Sequence, residues 1–208
     1  EPIQGAGGHR CAEPEFFQGL SRLAHEHSVF LGFDEVQTAG GPTGALFMAD
    51  QLDLPYPPQA IATAKKFGAG VVYMLHPMED RGVLDSTWGG SLADMVRFVQ
   101  EMKIVEREGL IPAAARKGEL LADGLRALSC RFPELVRNVR GMGLYQGFSL
   151  PTPEVRARLI QTALQQENLL LLGAGCRSIR TRPNLSVTEE EIGLFLEKLE
   201  RCLTALAG

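Results

Sequence analysis

The sequence feature that most constrains the fold is a short apolar run that stops abruptly at two acids. Residues 29–33 are apolar apart from one glycine, Asp34 and Glu35 follow, and residues 38–44 contain three glycines and a proline. A nearly continuous apolar run is typical of a strand that is buried on both faces of a parallel sheet. The run therefore predicts such a strand, with Asp34 at its carboxyl end and a long turn beyond it.

Helical and strand-like patterns alternate around this strand. Apolar residues at helical spacing predict a helix over residues 13–27, with Pro14 in its first turn. Short apolar stretches at residues 60–64 and 70–75 predict two further strands. This alternation is that of an open α/β sheet.

The pattern changes in the second half of the chain. We predict long helices from Ser91 and over residues 113–131, a strand at 141–150, a helix at 153–166 and strands at 168–172 and 178–182. Thr188 and Glu191 form a capping box that opens a last helix, whose expected core face is Leu194, Phe195, Leu199 and Leu203. The sequence thus predicts an α/β fold with two domains: a large-domain segment over residues 1–112 and a smaller α+β domain over residues 113–208.

Composition and charge exclude several classes of protein. The 208 residues carry 21 Lys and Arg against 25 Asp and Glu, for a net charge of −4, and 45% are hydrophobic. This balance excludes a disordered chain, a collagen-like repeat and a polycationic nucleic-acid binder. No apolar run approaches the roughly 20 residues of a membrane helix, so a membrane is not an expected partner. Because the net charge is negative, nucleic acid is not an expected partner either.

The cysteines and histidines predict no metal site. The four cysteines are scattered without a CxxC pair, which indicates free thiols in a reducing compartment such as the cytoplasm. The four histidines complete no ligand pattern with them, and each, His9 included, is expected to be an ordinary surface or core residue.

Polar residues that follow the predicted strands are the first candidates for a site. Asp34 ends one strand, where ligands of open α/β sheets bind, although a turn or capping aspartate fits the spacing equally well. Glu35 is expected to be a solvated or structural neighbour, and Gln37 could bond a ligand oxygen. Lys65 follows the next strand and could be a Schiff-base nucleophile, although Lys65 and Lys66 could also be a solvated pair.

Two weaker signals lie further along the chain. Residues 86–90 form a hydroxyl-bearing, glycine-containing loop before a helix, which could bind an anionic oxygen. Arg177, Arg180 and Arg182 flank a predicted strand, where a guanidinium would suit a carboxylate, although surface charge explains each of them as well.

Taken in order, these segments resemble class III pyridoxal-phosphate aminotransferases. Residues 32–38 with Thr43 and Gly44 look like the family's cofactor signature, Lys65 and Lys66 like its catalytic lysine and the lysine after it, and residues 1–5 like the loop before the signature. Residues 86–97 are most similar to lysine 6-aminotransferases and next to 4-aminobutyrate aminotransferases, and residues 178–183 match the C-terminal motif of both. The resemblance implies a fold-type I transferase, of which residues 1–112 would be the C-terminal part of the cofactor-binding large domain.

The resemblance also implies roles for individual residues. Asp34 would pair with the pyridine nitrogen of pyridoxal 5'-phosphate, and Gln37 would bond the phenolic oxygen of the ring. Lys65 would hold the cofactor as an internal aldimine and then act as the base. Thr87 would bind the cofactor phosphate across the interface of a homodimer. Arg180 would bind the substrate carboxylate in the 2-oxoglutarate half-reaction, and Lys66 would have no catalytic role.

One position departs from the family pattern. In ω-aminotransferases the position of Ala6 usually holds a glutamate that pairs with the arginine matching Arg180 while the terminal amine binds. Without that glutamate Arg180 is expected to stay exposed and positive, which leaves the lysine or 4-aminobutyrate donor open but not the transaminase chemistry. Glu1 lies five residues away and is a weak candidate for the missing partner.

The resemblance covers the whole chain but only about the last half of the family's length, and the chain begins as if in the middle of a fold. An incomplete, non-catalytic half-enzyme or subunit is therefore an alternative to an active transaminase. A 4-aminobutyrate or other class III transaminase remains a second alternative, and an aminomutase or racemase using the same cofactor remains a third.

Overall fold

Two separate sheets carry the candidate residues. The computed structural model describes residues 1–77, 79 and 87–208. Its strands are β1 (Ile3–Gln4), β2 (Arg10–Cys11), β3 (Gly32–Asp34), β4 (Ala60–Thr63), β5 (Val71–Met74), β6 (Arg137–Met142), β7 (Tyr145–Ser149), β8 (Leu172–Ala174) and β9 (Ser178–Thr181). Its helices are α1 (Pro14–Glu26), α2 (Leu92–Arg107), α3 (Leu110–Arg131), α4 (Pro153–Glu167) and α5 (Glu189–Ala207). The predicted α/β fold is confirmed.

The first sheet has the order β3-β4-β5 and is mixed. Strand β3 runs parallel to β4, with Asp34 opposite Ala62, whereas β5 runs antiparallel to β4. Helix α1 packs on this sheet through Phe17, whose ring meets the Phe33 ring edge-on at 5.9 Å between centroids. The sheet thus combines one parallel pair, which bears the strand-end candidates, with one antiparallel pair.

The predicted strand at residues 29–33 is shorter than expected and is not buried on both faces. Only Gly32–Asp34 is extended and paired, and Val29 and Phe30 are 57% and 62% exposed. The reason is local, because Ser28 takes a positive φ of 53° and the Val29 N–H bonds back to the Ala24 carbonyl of the helix end. In the described part of the chain β3 has a partner on one side only.

The second sheet is antiparallel, with the order β6-β7-β9-β8. Its residues alternate between two faces, as strand geometry requires. Phe148 and Ile179 point into a core shared with helices α3, α4 and α5. Tyr145 points the other way and packs with Ile3 and Phe33 of the first half of the chain. The sheet therefore has the small-domain core on one side and the N-terminal segment on the other.

Three predictions for the second half need correction. The strand at 141–150 is split by a turn at Gly143 and Leu144, because Gly143 takes a positive φ of 55°. The strand at 168–172 begins only at Leu172, since Asn168 is the left-handed C-cap of α4. The capping box of α5 is confirmed, but Leu194 is 49% exposed and Ile192 takes its place in the core.

The boundary between residues 112 and 113 remains a prediction. Helix α3 begins at Leu110, so the predicted boundary lies in its first turn. The helix packs against both halves of the chain, since Ile111 lies beside Gly41, while Leu121 and Leu125 belong to the C-terminal core. Among the described helices, none is both long enough and apolar enough to cross a membrane.

Gly118 of α3 marks the closest approach between a helix and the β6–β7 turn. A Cβ at this position would lie 2.2 Å from the carbonyl carbon of Gly143, which is backbone and cannot rotate away. Gly193 of α5 is also helical, but a Cβ there would meet nothing within 4 Å. Comparing alanine substitutions at the two glycines therefore separates the effect of packing on stability from the effect of helix propensity.

We predict that Gly118→Ala lowers the free energy of unfolding by about 2 kcal/mol, because the added methyl must displace the β6–β7 turn. Gly193→Ala is expected to raise it by up to about 1 kcal/mol, because alanine is the better helix former. Urea unfolding of both variants measures the difference. Equal effects of the two substitutions would contradict the close packing of α3 on the turn.

Candidate active site

Asp34 and Lys65 leave the first sheet at the same edge. Asp34 is the last residue of β3, and the N–H of the following residue bonds to the Ala62 carbonyl of β4 at 2.8 Å. Lys65 lies three residues beyond Ala62, just after the end of β4. Because β3 and β4 are parallel, their carboxyl ends meet at one edge, where open α/β sheets bind ligands. Both side chains are exposed there.

The backbone at Lys65 is strained. Lys65 has a φ of 48°, in the left-handed region that non-glycine residues rarely adopt, and opens a short 3-10 turn over Lys65–Phe67. Such a conformation costs on the order of 1 kcal/mol and is concentrated at functional sites. The loop after Asp34 packs directly on this turn, since a Cβ at Gly40 would lie 3.0 Å from the Lys66 carbonyl carbon. The loop after Asp34 and the turn at Lys65 are thus held in place by packing against each other.

Glu35 holds the loop that follows Asp34. Its carboxylate is fully buried and accepts hydrogen bonds from the Thr38 hydroxyl at 2.9 Å and from the backbone N–H groups of Met48 at 2.7 Å and Ala49 at 2.9 Å. Burial raises the pKa of this carboxyl group, against the three hydrogen bonds, which lower it. Of the two roles expected for Glu35, the structural one is confirmed, and the residue is buried rather than solvated.

The carboxylate of Asp34 is engaged only locally. Its Oδ1 accepts a hydrogen bond from the Val36 N–H at 3.0 Å, the geometry of a turn aspartate. No other hydrogen bond to this side chain occurs among the described residues. The local bond fixes the direction of the carboxylate while its exposed side faces the edge of the sheet. The turn role and the ligand role are therefore compatible.

Lys66 and Gln37 connect the first sheet to the segment after β9. The Lys66 ammonium donates to the Pro183 carbonyl at 2.8 Å, and Arg182 Nη1 donates to the Gln37 carbonyl at 3.3 Å. Burial, together with the charge of Arg182, lowers the pKa of Lys66. Lys66 is therefore not half of a solvated pair, and these two bonds bring Gln37 and the Arg180–Arg182 segment together.

Arg180 lies against the N-terminal loop. It faces Gly147 across the β7–β9 pair, on the same side of the sheet as Tyr145. A Cβ at Gly5 would lie 2.7 Å from Arg180 Nη1, 2.6 Å from the Tyr145 hydroxyl and 3.1 Å from Gln37 Cγ. Gly5 is thus the point at which these three side chains converge.

Neither Ala6 nor Glu1 provides a carboxylate partner for Arg180. Ala6 is exposed, and its carbonyl accepts from the Gly175 N–H at 2.8 Å, which fixes the loop on the second sheet. Glu1 Oε2 accepts from the Gly5 N–H at 3.0 Å. Within the described residues Arg180 forms no ion pair with any acid. The expectation that Arg180 lacks an acidic partner therefore holds for the described part of the chain, but the expectation that it is exposed is wrong. Its side chain is half-buried, because it packs against Gly5 of the N-terminal loop.

Thr87 is exposed and lies in the turn that precedes α2. Among the described residues no hydrogen bond joins it to Asp34, Gln37, Lys65 or Arg180. Ser86, the other hydroxyl of the predicted anion-binding loop, lies outside the described residues. The role of Thr87 remains a prediction.

Sequence reasoning did not single out Tyr145, and it expected His9 to be an ordinary surface or core residue. Both are fully buried, and their rings meet edge-on with centroids 4.4 Å apart. His9 also covers Gly147, where a Cβ would lie 2.6 Å from its Cδ2. Burial and the nearby charge of Arg140 lower the pKa of His9 to about 4, so the imidazole is neutral at pH 7. The available signal was the alternation in β7, which places Tyr145 and Gly147 on the face of Arg180.

A cavity of about 450 Å³ borders Arg180 on the side of β8 and α5. Its lining is mostly apolar and includes Leu170, Leu172 and Phe195. Neither Asp34 nor Lys65 lines it. The cavity is therefore separate from the two strand-end candidates.

Comparison with known proteins identifies the family. The model of the family "Aminotransferase class-III" matches residues 1–203. The chain belongs to the class III aminotransferases, a family that depends on pyridoxal phosphate. It is 36% identical to the L-lysine-epsilon aminotransferase of Streptomyces clavuligerus, covering 100% of this chain and 47% of that one. It is 40% identical to the Mycobacterium tuberculosis (strain H37Rv) enzyme of the same name, and the match covers 98% of this chain and 46% of that one.

More distant relatives and solved structures agree with this assignment. The mitochondrial 4-aminobutyrate aminotransferase of Sus scrofa is 32% identical, covering 94% of this chain and 39% of that one. The structure of lysine aminotransferase from M. tuberculosis in the internal aldimine form superposes with a TM-score of 0.93 at 37% identity. The superposition covers 99% of this chain and 48% of that one. The chain thus spans about half the length of the relatives it matches, and it has the fold of this family.

The residues at the sheet edge fit pyridoxal phosphate. An exposed carboxylate and an exposed lysine lie at the ends of paired parallel strands, which suits a ring nitrogen and an aldehyde carbon. The guanidinium of Arg180 forms no ion pair with an acid among the described residues, which suits an anionic substrate. Asp34, Gln37 and Lys65 are therefore the residues of this chain that would hold the cofactor.

We predict that Glu35→Ala lowers the free energy of unfolding by about 3 kcal/mol, because three buried donors lose their acceptor. Asp50→Ala is the matched control, since this exposed acid belongs to the same short helix as Met48 and Ala49 and accepts no side-chain hydrogen bond among the described residues. The control is expected to change stability by less than about 0.5 kcal/mol. Urea denaturation measures both. A Glu35→Ala variant as stable as the control would refute the anchoring role.

Proposed function

We propose that this protein is an aminotransferase that moves an amino group from a terminal amine, such as the 6-amino group of lysine, to 2-oxoglutarate. The observation that carries the proposal is the exit of Asp34 and Lys65 from paired parallel strands at one sheet edge. The lysine-epsilon aminotransferases at 36% and 40% identity support the choice of donor. When bound, pyridoxal phosphate would supply the electron sink for the carbanion formed at the amine carbon.

In this proposal Asp34 keeps a proton on the ring nitrogen. A carboxylate beside that nitrogen stabilises its protonated form, which strengthens the electron sink. The hydrogen bond from the Val36 N–H holds the carboxylate in a fixed direction. Gln37 would donate its side-chain amide N–H to the phenolic oxygen of the ring. The bond from Arg182 Nη1 to the main-chain carbonyl of Gln37 would hold the residue in place and would leave the side-chain amide free for this role.

Lys65 would bind the cofactor covalently and then move a proton. Once the substrate amine had replaced it on the cofactor, its free amine would take the proton from the substrate carbon and return it to the cofactor carbon, which a base on a short, strained turn is placed to do. Lys66 does not compete for this role, because its ammonium is bonded to the Pro183 carbonyl. The adjacent lysines thus have separate roles, one chemical and one structural.

Arg180 would bind the carboxylate of 2-oxoglutarate. Its Nε and Nη1 are buried and have no partner among the described residues, so a carboxylate would satisfy them. Thr87 would bind the cofactor phosphate of a partner subunit in a homodimer.

The four cysteines are unpaired in the described chain, which favours a reducing compartment such as the cytoplasm.

A 4-aminobutyrate donor is the second candidate. The relative from Sus scrofa at 32% identity favours it, and Arg180 would serve 2-oxoglutarate in the same way. Comparing lysine with 4-aminobutyrate as donors separates the two. A half-enzyme without chemistry of its own would form glutamate from neither.

We predict that Lys65→Ala abolishes glutamate formation from 2-oxoglutarate and lysine, because the covalent attachment and the base are lost together. Lys66→Ala is the adjacent control and is expected to keep turnover within a few-fold of the parent, because it removes only the bond to Pro183. Glutamate is measured by a coupled dehydrogenase assay. An active Lys65→Ala variant would refute the assignment of the base.

We also predict that Ala6→Glu increases the preference for terminal amines over α-amino acids several-fold. A carboxylate next to Gly5 would neutralise Arg180 while the amine binds. Ala12→Glu adds the same charge at an exposed position that is not one of the candidate site residues, and it is expected to leave the ratio unchanged. The ratio of kcat/KM values for lysine and alanine as donors is the measurement. An unchanged ratio in Ala6→Glu would contradict a gating effect at this position.

A further inference from the structure

A polar cavity of about 600 Å³ lies between the N-terminal loop and the turn that joins β8 to β9. This volume is within the range of cavities that bind small molecules. None of the candidate site residues Asp34, Gln37, Lys65 and Arg180 lines it. The cavity therefore lies outside the site that we assign to the cofactor and the substrate.

The charged side chains of this cavity are mostly arginines. Arg10, Arg140 and Arg177 line it, against a single acid, Glu13. Arg10 and Arg177 are exposed, and neither forms an ion pair or a side-chain hydrogen bond among the described residues. Burial lowers the pKa of Arg140, and the nearby charge of Arg177 also lowers it. The cavity thus carries an excess of positive charge that the described chain does not neutralise.

Arg140 fixes the lining but has no free donor of its own. Its guanidinium donates to the Ser149 hydroxyl at 3.1 Å, to the Ser178 hydroxyl at 2.9 Å and to three backbone carbonyls, among them those of Gly8 and His9. A guanidinium has five N–H groups, so all of them are used. Arg140 therefore ties the N-terminal loop to the second sheet and leaves ligand binding to the other two arginines.

The N-terminal loop offers unpaired backbone donors to the same cavity. The N–H groups of Gly7 and Gly8 have no acceptor among the described residues, whereas the next one, of His9, donates to the Gly5 carbonyl at 3.3 Å. A Cβ built on Gly8 would come no closer than 3.8 Å to any atom outside its chain neighbours, and that atom is Arg10 Nε. Space is therefore open beside the arginine. Successive backbone N–H groups in such a loop are a common anion-binding arrangement.

We propose that this cavity binds the phosphate group of a small molecule, with Arg10 and Arg177 pairing with its charge and the Gly7 and Gly8 N–H groups as further donors. These donors come from two separate segments, the N-terminal loop and the β8–β9 turn. Donors from several directions suit a tetrahedral group better than a planar carboxylate. The cavity is larger than one phosphate, which leaves room for the rest of the molecule. The proposal does not depend on the proposed function, because it uses none of the residues assigned to cofactor or substrate.

The first test measures binding of inorganic pyrophosphate to the cofactor-loaded protein, freed of excess cofactor, by calorimetry at physiological salt. We expect one saturable site, and we expect Arg10→Gln/Arg177→Gln to weaken binding by about tenfold or more, because two charge-assisted contacts are lost. Arg22→Gln/Arg158→Gln is the matched control. It removes the same charge from two exposed arginines that do not line the cavity and form no ion pair among the described residues. Its affinity should stay within about twofold of the parent.

The second test locates the anion without any substitution. Cys11 and Cys176 are exposed thiols that line the cavity, whereas Cys130 is an exposed thiol in the last turn of α3, away from it. Saturating pyrophosphate should slow the alkylation of Cys11 and Cys176 by N-ethylmaleimide several-fold and leave the rate at Cys130 unchanged. Peptide mass spectrometry measures the three rates.

Several results would overturn the proposal. Equal losses of affinity in the two double variants would mean that pyrophosphate responds only to net charge. Absence of saturable binding, or unprotected Cys11 and Cys176, would exclude this cavity as the site. Release of bound cofactor by pyrophosphate would place the anion at the cofactor site instead. Citrate, a tricarboxylate, tests the chemistry, because binding as tight as that of pyrophosphate would contradict a preference for phosphate.

Discussion

The parallel pairing of β3 with β4 is the constraint on which the candidate site depends. Its register sets Asp34 opposite Ala62, so an acid and a lysine that are distant in sequence emerge at one edge. The edge is useful only if the loops beyond it are fixed, and the buried carboxylate of Glu35 achieves this by accepting three hydrogen bonds. The cost of burying that carboxylate appears as its raised pKa. Strand pairing places the reactive groups, and a buried acid keeps their loops in place.

The second sheet contributes through the face that does not line its own core. Alternation along β7 sends Phe148 into the small-domain core and Tyr145 toward the N-terminal loop. Arg180 lies on the same side as Tyr145, and the Lys66 ammonium reaches the Pro183 carbonyl just beyond it. The segment that carries Arg180 and the sheet edge that carries Asp34 and Lys65 are therefore joined by direct hydrogen bonds between the two halves of the chain.

Much of this arrangement could be predicted from the sequence, and the exceptions have physical causes. The helices and the α5 capping box follow from local periodicity and capping chemistry, which are properties of short segments. The predicted strand at residues 29–33 is too long, because apolar content does not reveal that the chain turns back on α1 at Ser28. Asp34 and Lys65 were found by their positions after apolar runs and by family resemblance. The contact between Tyr145, Arg180 and Gly5 was not predicted because it joins residues that are far apart in the sequence.

The most direct test of the account is to locate the lysine that binds the cofactor. The protein would be incubated with pyridoxal phosphate, reduced with borohydride and digested, and the modified peptide would be sequenced by tandem mass spectrometry. Fragmentation is needed because Lys65 and Lys66 are adjacent. We predict stoichiometric modification of Lys65 with Lys66 unmodified. Modification of Lys66 instead, modification spread over exposed lysines, or none at all would contradict the placement of the active site at the end of β4.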